Sequence, residues 1–301
     1  MTSEERREAR YKRRVEKRKA AKEAKLSEYD NFDRITGFDN LYKAYKRCLL
    51  GVGWKESTQR YEADAMRNLI ETRRKLLNGE SVHKGFVEFD LRERGKARHI
   101  RSIHISERVV QKCLCDEALV PILANSLIYD NGASVKNKGV HFALKRLICH
   151  MTKFYRQNKS NEGYALMADF KRFFDSVDHG VLFRLLDEKI LNPRLRRLTK
   201  SFIKVFGNGV SLGLGSQVSQ VSAIFLPNKL DHYIKEKLRI KFYGRYMDDL
   251  YLIHENKEYL KHCLKEIIAI CNELKITVNL KKTAIVKLSH GLVFLKGRYS
   301  L

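Results

Sequence analysis

Two adjacent carboxylates, Asp248 and Asp249, stand between an aromatic segment, Lys241-Phe242-Tyr243-Gly244-Arg245, and an apolar one, Leu250-Tyr251-Leu252-Ile253. Successive side chains of a β-strand point to opposite faces, so neighbouring acids converge on one site only where the backbone turns. The pattern predicts a hairpin with Asp248 and Asp249 at its tip. Asp-Asp is also an ordinary surface-turn dipeptide, and these residues alone leave both readings open. A second segment tips the balance: Ala165-Leu166-Met167-Ala168 is an apolar run that ends in Asp169. It reads as a buried strand delivering Asp169 beside the hairpin. Three carboxylates so assembled suit hard divalent cations, which take oxygen ligands, and a pair of such ions suits in-line phosphoryl transfer.

Composition agrees with a phosphate-rich partner. Lys and Arg number 60 against 35 acids in 301 residues, a formal charge of +25 and a pI near 9.8, which is the electrostatic footprint of a polyanion-binding chain. Charge alone does not separate DNA from RNA, and a charge run is often only a solvated face. With 44% hydrophobic residues the chain can bury one substantial core with subdomains. It has no run of about 18 apolar residues and no apolar N-terminal signal segment, so neither membrane insertion nor secretion is expected and the predicted location is cytoplasmic. Six scattered cysteines (Cys48, Cys113, Cys115, Cys149, Cys263, Cys271) lack paired Cys-x-x-Cys spacing and read as reduced, mostly buried small hydrophobes.

Periodicity divides the chain further. Residues 1–28 form a basic arm without Pro or Gly, read as a solvated helix or a disordered segment, with RNA or partner contact as its functional reading and a passive tail as the alternative. Ser57 to Asn78 predicts one helix capped by Ser57 or Thr58 and stopped by Gly79. Val82 to Leu91 alternates as a strand. Ser106 is the expected cap of a helix carrying Val109, Val110, Cys113 and Leu114, perturbed at its far end by Pro121. Apolar stripes at Val140, Ala143, Leu144, Leu147 and Met151, and at Leu260, Leu264, Ile267, Ile268, Cys271 and Leu274, read as helix faces turned to the core. Strands around the acids with helices between and after them predict an α+β sheet backed by helices.

With these residues in view, the chain resembles the reverse transcriptases, in the bacterial branch that includes retron, group II intron and diversity-generating retroelement enzymes. The resemblance rests on Gly95-Lys96-Ala97-Arg98-His99-Ile100 with Ser106-Glu107-Arg108-Val109-Val110-Gln111, on Asn137-Lys138-Gly139-Val140-His141, on the Asp169 segment, and on Gly213-Leu214-Gly215-Ser216-Gln217-Val218-Ser219-Gln220. It continues through Tyr246-Met247-Asp248-Asp249, Asn279-Leu280-Lys281-Lys282-Thr283 and Val293-Phe294-Leu295-Lys296-Gly297, in consistent order over roughly residues 40–301. It implies a right-hand polymerase with the thumb absent or truncated: an arm at 1–28, fingers with N-terminal helices at 29–160, and a palm at 161–301, fingers and palm being interleaved. It also implies an RNA template, a DNA or RNA primer, dNTPs, an accessory protein or structured RNA as a further partner, and no membrane.

The implied catalytic residues are Asp169, Asp248 and Asp249, with Phe170 joining them at a site for two Mg²⁺ ions, for which Mn²⁺ could substitute. Lys96, Arg98, Phe170, Phe174, Gly215, Gln220 and Lys282 are implied at the dNTP. Leu214, Ser219, Met247, Leu295, Lys296 and Gly297 are implied at template and primer. Phe174 matches an aromatic gate against the ribose 2′-hydroxyl, with core packing as its plainer reading. Lys282 either donates a proton to departing pyrophosphate or contacts backbone phosphate. Arg101 and Arg108 are weaker candidates; Asp175, Asp178 and His179 read as turn or cap groups. Two departures stand out. Leu214-Gly215 and Ser219-Gln220 replace the family's usual Gln-Gly and Ser-Pro, which resembles diversity-generating retroelement enzymes and implies reduced fidelity, although phage-defence reverse transcriptases, which make DNA with little template instruction, also depart here. The chain stops six residues after Leu295, which predicts poor processivity. A non-catalytic RNA-binding scaffold is the alternative from another class.

Overall fold

A reciprocal cap opens the first helix: Thr2 Oγ1 accepts the Glu5 N–H at 3.2 Å and the Glu5 carboxylate accepts the Thr2 N–H at 2.6 Å. The computed structural model describes residues 2–93 and 96–300, with the side chains of all of these except Arg18, Lys19, Lys22, Lys25, Glu93, Lys96 and Arg98. The basic arm is helical, as α1 (Ser3–Tyr29), and solvated along nearly its whole length.

Next come α2 (Asp33–Thr36), α3 (Phe38–Leu49), α4 (Glu56–Ala63) and α5 (Ala65–Asn78). The single helix expected over 57–78 is therefore two, broken at Asp64 (φ −121°, ψ 34°), and the cap position is Lys55 rather than Ser57 or Thr58. The Asn68 amide donates to the Tyr61 carbonyl across the break at 3.0 Å, so the lost helical bond is replaced. Gly79 ends α5 in the left-handed conformation as expected.

A hairpin of β1 (Phe86–Glu93) and β2 (Lys96–Ile103) pairs Phe86 with Ile103 and Glu93 with Lys96. Its first strand begins later than Val82, which is buried instead. Then α6 (Ile105–Leu114) is capped by the His104 ring nitrogen accepting the Ser106 N–H, not by Ser106. A π-helical turn at Cys115–Leu119 carries α6 without a break into α7 (Val120–Ala124), and Pro121, which has no N–H to give, follows directly on that wider turn, so the far end is perturbed as expected.

The remaining α-helices and strands are α8 (Val140–Asn158), β3 (Tyr164–Ala168), α9 (Phe173–Ser176), α10 (His179–Asp187), α11 (Pro193–Lys204), α12 (Gln217–Phe225), α13 (Asn228–His232), β4 (Phe242–Tyr246), β5 (Asp249–His254), α14 (Lys257–Glu273), β6 (Ala284–Lys287), β7 (Leu292–Phe294) and β8 (Gly297–Tyr299). Four strands form one antiparallel sheet in the order β4-β5-β3-β6. Leu166, Ala168, Leu250 and Leu252 face a core that includes Leu260, Cys263 and Ile267 of α14. Ala165, Tyr251 and Ile253 face the opposite way, onto Ala143, Leu147 and Met151 of α8 and Leu292 and Phe294 of β7. A slip of one residue would exchange these two sets. Each such side chain is worth roughly 1.5–3 kcal/mol when buried, so the register is strongly held. Asp178 caps α10 by accepting the Val181 N–H at 2.9 Å, and His179 donates to the Ser211 carbonyl at 2.6 Å, matching their expected structural roles.

Candidate active site

The register brings the acids together. Ala168 of β3 pairs with Leu250 of β5, so the next residue on β3, Asp169, lies opposite the preceding one on β5, Asp249. Directly opposed residues of an antiparallel pair project to the same face, about 4.5–5.5 Å apart at Cβ. Asp248 is contributed by the turn: Tyr246 pairs with Asp249, which leaves Met247 and Asp248 as the two loop residues. The tip is thus Met247-Asp248 rather than the Asp pair, with Asp249 already in the strand. Met247 takes φ +53°, an uncommon conformation for a residue with a Cβ. Two contacts hold it: Arg245 Nη1 donates to the Met247 carbonyl at 2.9 Å, and the Phe170 N–H donates to the Asp248 carbonyl at 3.2 Å.

All three acids line one cavity of about 970 Å³ on the α8 side of the sheet, together with Lys282, Leu295, Lys296, Met167, Val293 and Phe294. Asp169 is only 7% exposed and its Oδ2 accepts from Lys282 Nζ, while its Oδ1 is buried without a partner among the described residues. Burial raises the Asp248 pKa above the ordinary carboxylate value, and the Asp169 charge adds to the rise. Lys282 is pushed up in turn, first by its bond to Asp169 and further by the charges of Asp249 and Asp248. Among the described residues, no three His, Cys, Asp or Glu side chains form a group already placed to hold a metal ion. The donor set nevertheless fits a divalent cation. It offers hard oxygens, one buried carboxylate oxygen is unsatisfied, and like charges opposed across a strand pair are destabilising until a cation joins them.

Other expected site residues lie around this cavity or apart from it. Phe170 is buried against Phe173 at 5.3 Å. Leu295 (φ 48°) and Lys296 (φ 70°) are the two loop residues between β7 and β8, a left-handed pair that tight hairpins usually reserve for Asn and Gly. Gly297 follows as the first residue of β8. Phe174 does not line the cavity; it packs edge-on against Phe173 at 6.0 Å, and its carbonyl accepts the Leu212 N–H at 2.8 Å, which brings the Leu214 loop beside it. Leu214 is half-buried and Gln220 exposed. Ser219 is fully buried and donates its hydroxyl to the Leu212 carbonyl, so the side chain expected at template or primer faces the interior. Gly215 (φ +112°) approaches the fingers hairpin so closely that a Cβ there would lie 2.9 Å from the Arg101 carbonyl oxygen. The side chains of Lys96 and Arg98 lie outside the described residues, as do Arg94 and Gly95 entirely. Arg101 pairs with Glu88 at 3.1 Å, and Arg108 donates to Ser102 at 3.2 Å.

Sequence reasoning missed what fixes the hairpin from below. Arg245, 1% exposed inside β4, makes a two-pronged bond to Asp231 of α13 (2.8 and 2.6 Å) and also donates to the Ile224 carbonyl of α12 at 2.9 Å. Tyr243 donates to the same Asp231. A signal was present: an arginine interior to an otherwise apolar strand must find an acid, because such side chains are almost never buried unpaired.

Residues 83–295 match the family described as reverse transcriptase (RNA-dependent DNA polymerase). No curated protein matches the chain. Among solved structures, telomerase of Candida tropicalis without its C-terminal domain is similar with TM-score 0.51 and 13% identity, over 74% of this chain and 55% of that one. Two telomerases in complex with a fragment of telomeric RNA are similar with TM-score 0.50: that of Candida albicans at 12% identity (66% of this chain, 41% of that one) and that of Candida tropicalis at 13% (71% and 43%). This chain spans about half the length of these proteins or less, and at such identities the likeness concerns the fold. The α+β arrangement with a polymerase palm sheet is the one expected from the sequence.

Proposed function

Since the chain belongs to the family of reverse transcriptases, RNA-dependent DNA polymerases, we propose that it copies an RNA template into DNA for a bacterial or phage retroelement, with low fidelity, at the cavity lined by Asp169, Asp248 and Asp249. The observation that carries this reading is the convergence of those three carboxylates on one face of the palm sheet, with an Asp169 oxygen unsatisfied. Asp169, Asp248 and Asp249 would hold two divalent cations, with Phe170, whose ring is buried against Phe173, offering its backbone carbonyl alone. Bound there, such ions would supply charge to stabilise the attacking and leaving oxygens of an in-line displacement. Lys282 is the movable cation of the site: it is about 60% exposed yet bonded to Asp169, so on release it can meet the charge that gathers on pyrophosphate. Phe174, held by Phe173 and by the Leu212 backbone, is the group that would crowd a ribose 2′-hydroxyl.

Primer extension on poly(rA)/oligo(dT) tests the reading. We expect incorporation that needs the RNA strand and prefers dTTP to UTP; equal synthesis with template omitted would overturn the templated reading.

Fidelity gives a second test. Leu214 offers no polar hold on the nucleotide and its pairing base, so correct and incorrect pairs are less well distinguished. Restoring one hydrogen-bonding contact, worth about 1–1.5 kcal/mol, should lower misincorporation about tenfold in Leu214→Gln. Product sequencing across all four template bases reads this out, and an unchanged error rate would refute the assigned role of Leu214.

A further inference from the structure

The longest helix of the described residues lies outside the stretch that matches the family. α1 spans 27 residues, about 40 Å at 1.5 Å per residue. Among the described residues its ties to the body lie near its end. There Arg34 covers the Tyr29 ring at 4.9 Å and pairs with Glu28 at 3.3 Å, and the Asp30 carboxylate accepts the Leu191 and Asn192 N–H groups at 2.7 and 3.0 Å. A helix polar all round gains little from packing. α1 draws its order from the Thr2–Glu5 cap, from the Glu8–Lys12 ion pair at 2.8 Å, and from a sequence free of Gly and Pro.

Over residues 3–24 its acids keep off one face; Glu28 returns to that face only beside the body, where Arg34 pairs with it. At 3.6 residues per turn, Arg6, Arg10, Arg13, Arg14 and Lys17 fall within one face about 100° wide, with Arg7 at its margin. Glu5, Lys12, Glu16 and Glu23 share the opposite side. The cationic face carries no large apolar side chain; Tyr11, 69% exposed, lies about 60° beyond its edge.

We propose that this face of α1 is a docking surface for base-paired RNA, holding a stem of the RNA partner away from the polymerase cavity. The chemistry favours RNA over an acidic protein on two grounds. A protein interface needs an apolar core, which this face lacks. Arginine outnumbers lysine on it, and the guanidinium fork matches phosphate oxygens two at a time. The choice of RNA as the polyanion rests on the RNA-copying reading above; the surface itself does not.

Fluorescence anisotropy with a labelled 20-base-pair RNA hairpin, titrated across salt concentrations on the full chain, tests the proposal. The variant Arg6→Gln/Arg10→Gln/Arg13→Gln/Arg14→Gln/Lys17→Gln keeps helix propensity. Its Kd should rise about tenfold or more near 0.1 M salt, and the slope of log K against log salt should lessen by about 3.5–4.5 if the five cations each release counterions. Lys12→Gln, on the far side, should leave both unchanged, and circular dichroism should show α1 retained. An unchanged Kd and slope in the five-site variant would overturn the proposal, as would equal weakening by Lys12→Gln. If the five-site variant instead loses an acidic protein partner but not the hairpin, RNA is the wrong occupant. Hairpin binding by Asp248→Asn should match the original chain, so a failure of the polymerase reading is distinguishable from a failure of this one.

Discussion

Asp248→Asn is expected to reduce primer extension about a thousandfold or more while leaving the fold intact. The cavity carboxylates are asked to supply several kcal/mol of transition-state stabilisation through the cations they would bind. About 4 kcal/mol of that corresponds to about a thousandfold in rate. Stability should move the other way or not at all. The Asp248 pKa is raised by burial and then by Asp169, so in the folded chain its charged form is disfavoured relative to the unfolded chain. The sign follows: a carboxyl with a raised folded pKa holds its proton to higher pH in the folded state, so its contribution to stability diminishes as pH climbs from the unfolded value through the folded one. At neutral pH the charge is a cost, and the neutral, equally sized Asn removes it. Steady-state extension rates and urea melts at pH 7 and 5 check both halves. The fold of the original chain should gain at pH 5 relative to Asp248→Asn. Retained synthesis in the variant would remove Asp248 from the catalytic set, and a large loss of stability would remove the electrostatic argument.

The acids were legible because their environment is written locally. An apolar run ending in Asp169 and an acid pair between two strand-like segments fix both the strands and the end of the sheet at which the carboxylates appear. Helices with apolar stripes, such as α8 and α14, were legible for the same reason, although Val140, expected to face the core from the first turn of α8, is exposed. Boundaries set by side-chain competition were not. Asp64 breaks a helix whose apolar spacing reads as continuous, and His104 takes the cap from Ser106 because its ring nitrogen reaches the N–H first. The π-helical turn before Pro121 adds a residue that no periodicity of 3.6 announces. Within the site, motif order told which residues travel with the family but not which way their side chains face. Ser219 satisfies a carbonyl inside the protein, Gly215 makes room for the Arg101 backbone, and Phe174 stands away from the acid cavity. Lys282 was legible as a cation near phosphate, but not as the partner that holds Asp169 while no phosphate is present. Contacts between distant segments decided each of these positions, and local sequence does not encode them.

Separating stability from catalysis is the expected outcome of changing the pair beneath the hairpin. Asp231→Ala leaves the Arg245 guanidinium, fully buried, without its acid, and also strips the Tyr243 hydroxyl of its acceptor. An uncompensated buried charge costs about 3–5 kcal/mol, a large part of the roughly 5–15 kcal/mol that keeps a folded protein folded, so the urea midpoint should fall sharply. Replacing all three members with apolar residues, Asp231→Leu with Arg245→Met and Tyr243→Phe, removes the stranded charge and the orphaned hydroxyl together, and stability should return most of the way, since buried ion pairs and apolar groups of similar volume are often nearly equivalent. Activity should not return with it. Arg245 also donates to the Met247 carbonyl, and a residue held at φ +53° costs on the order of 1–3 kcal/mol unless its surroundings over-determine it. Without that bond the turn can relax, and Asp248 moves with it because the two are adjacent in the loop. A misplacement of about 1 Å at a reacting centre can cost about a hundredfold. The triple variant should therefore melt near the original midpoint yet extend primers tens to about a hundredfold more slowly. Recovery of both properties together would mean that the Arg245 bond to the turn contributes nothing to the placement of Asp248.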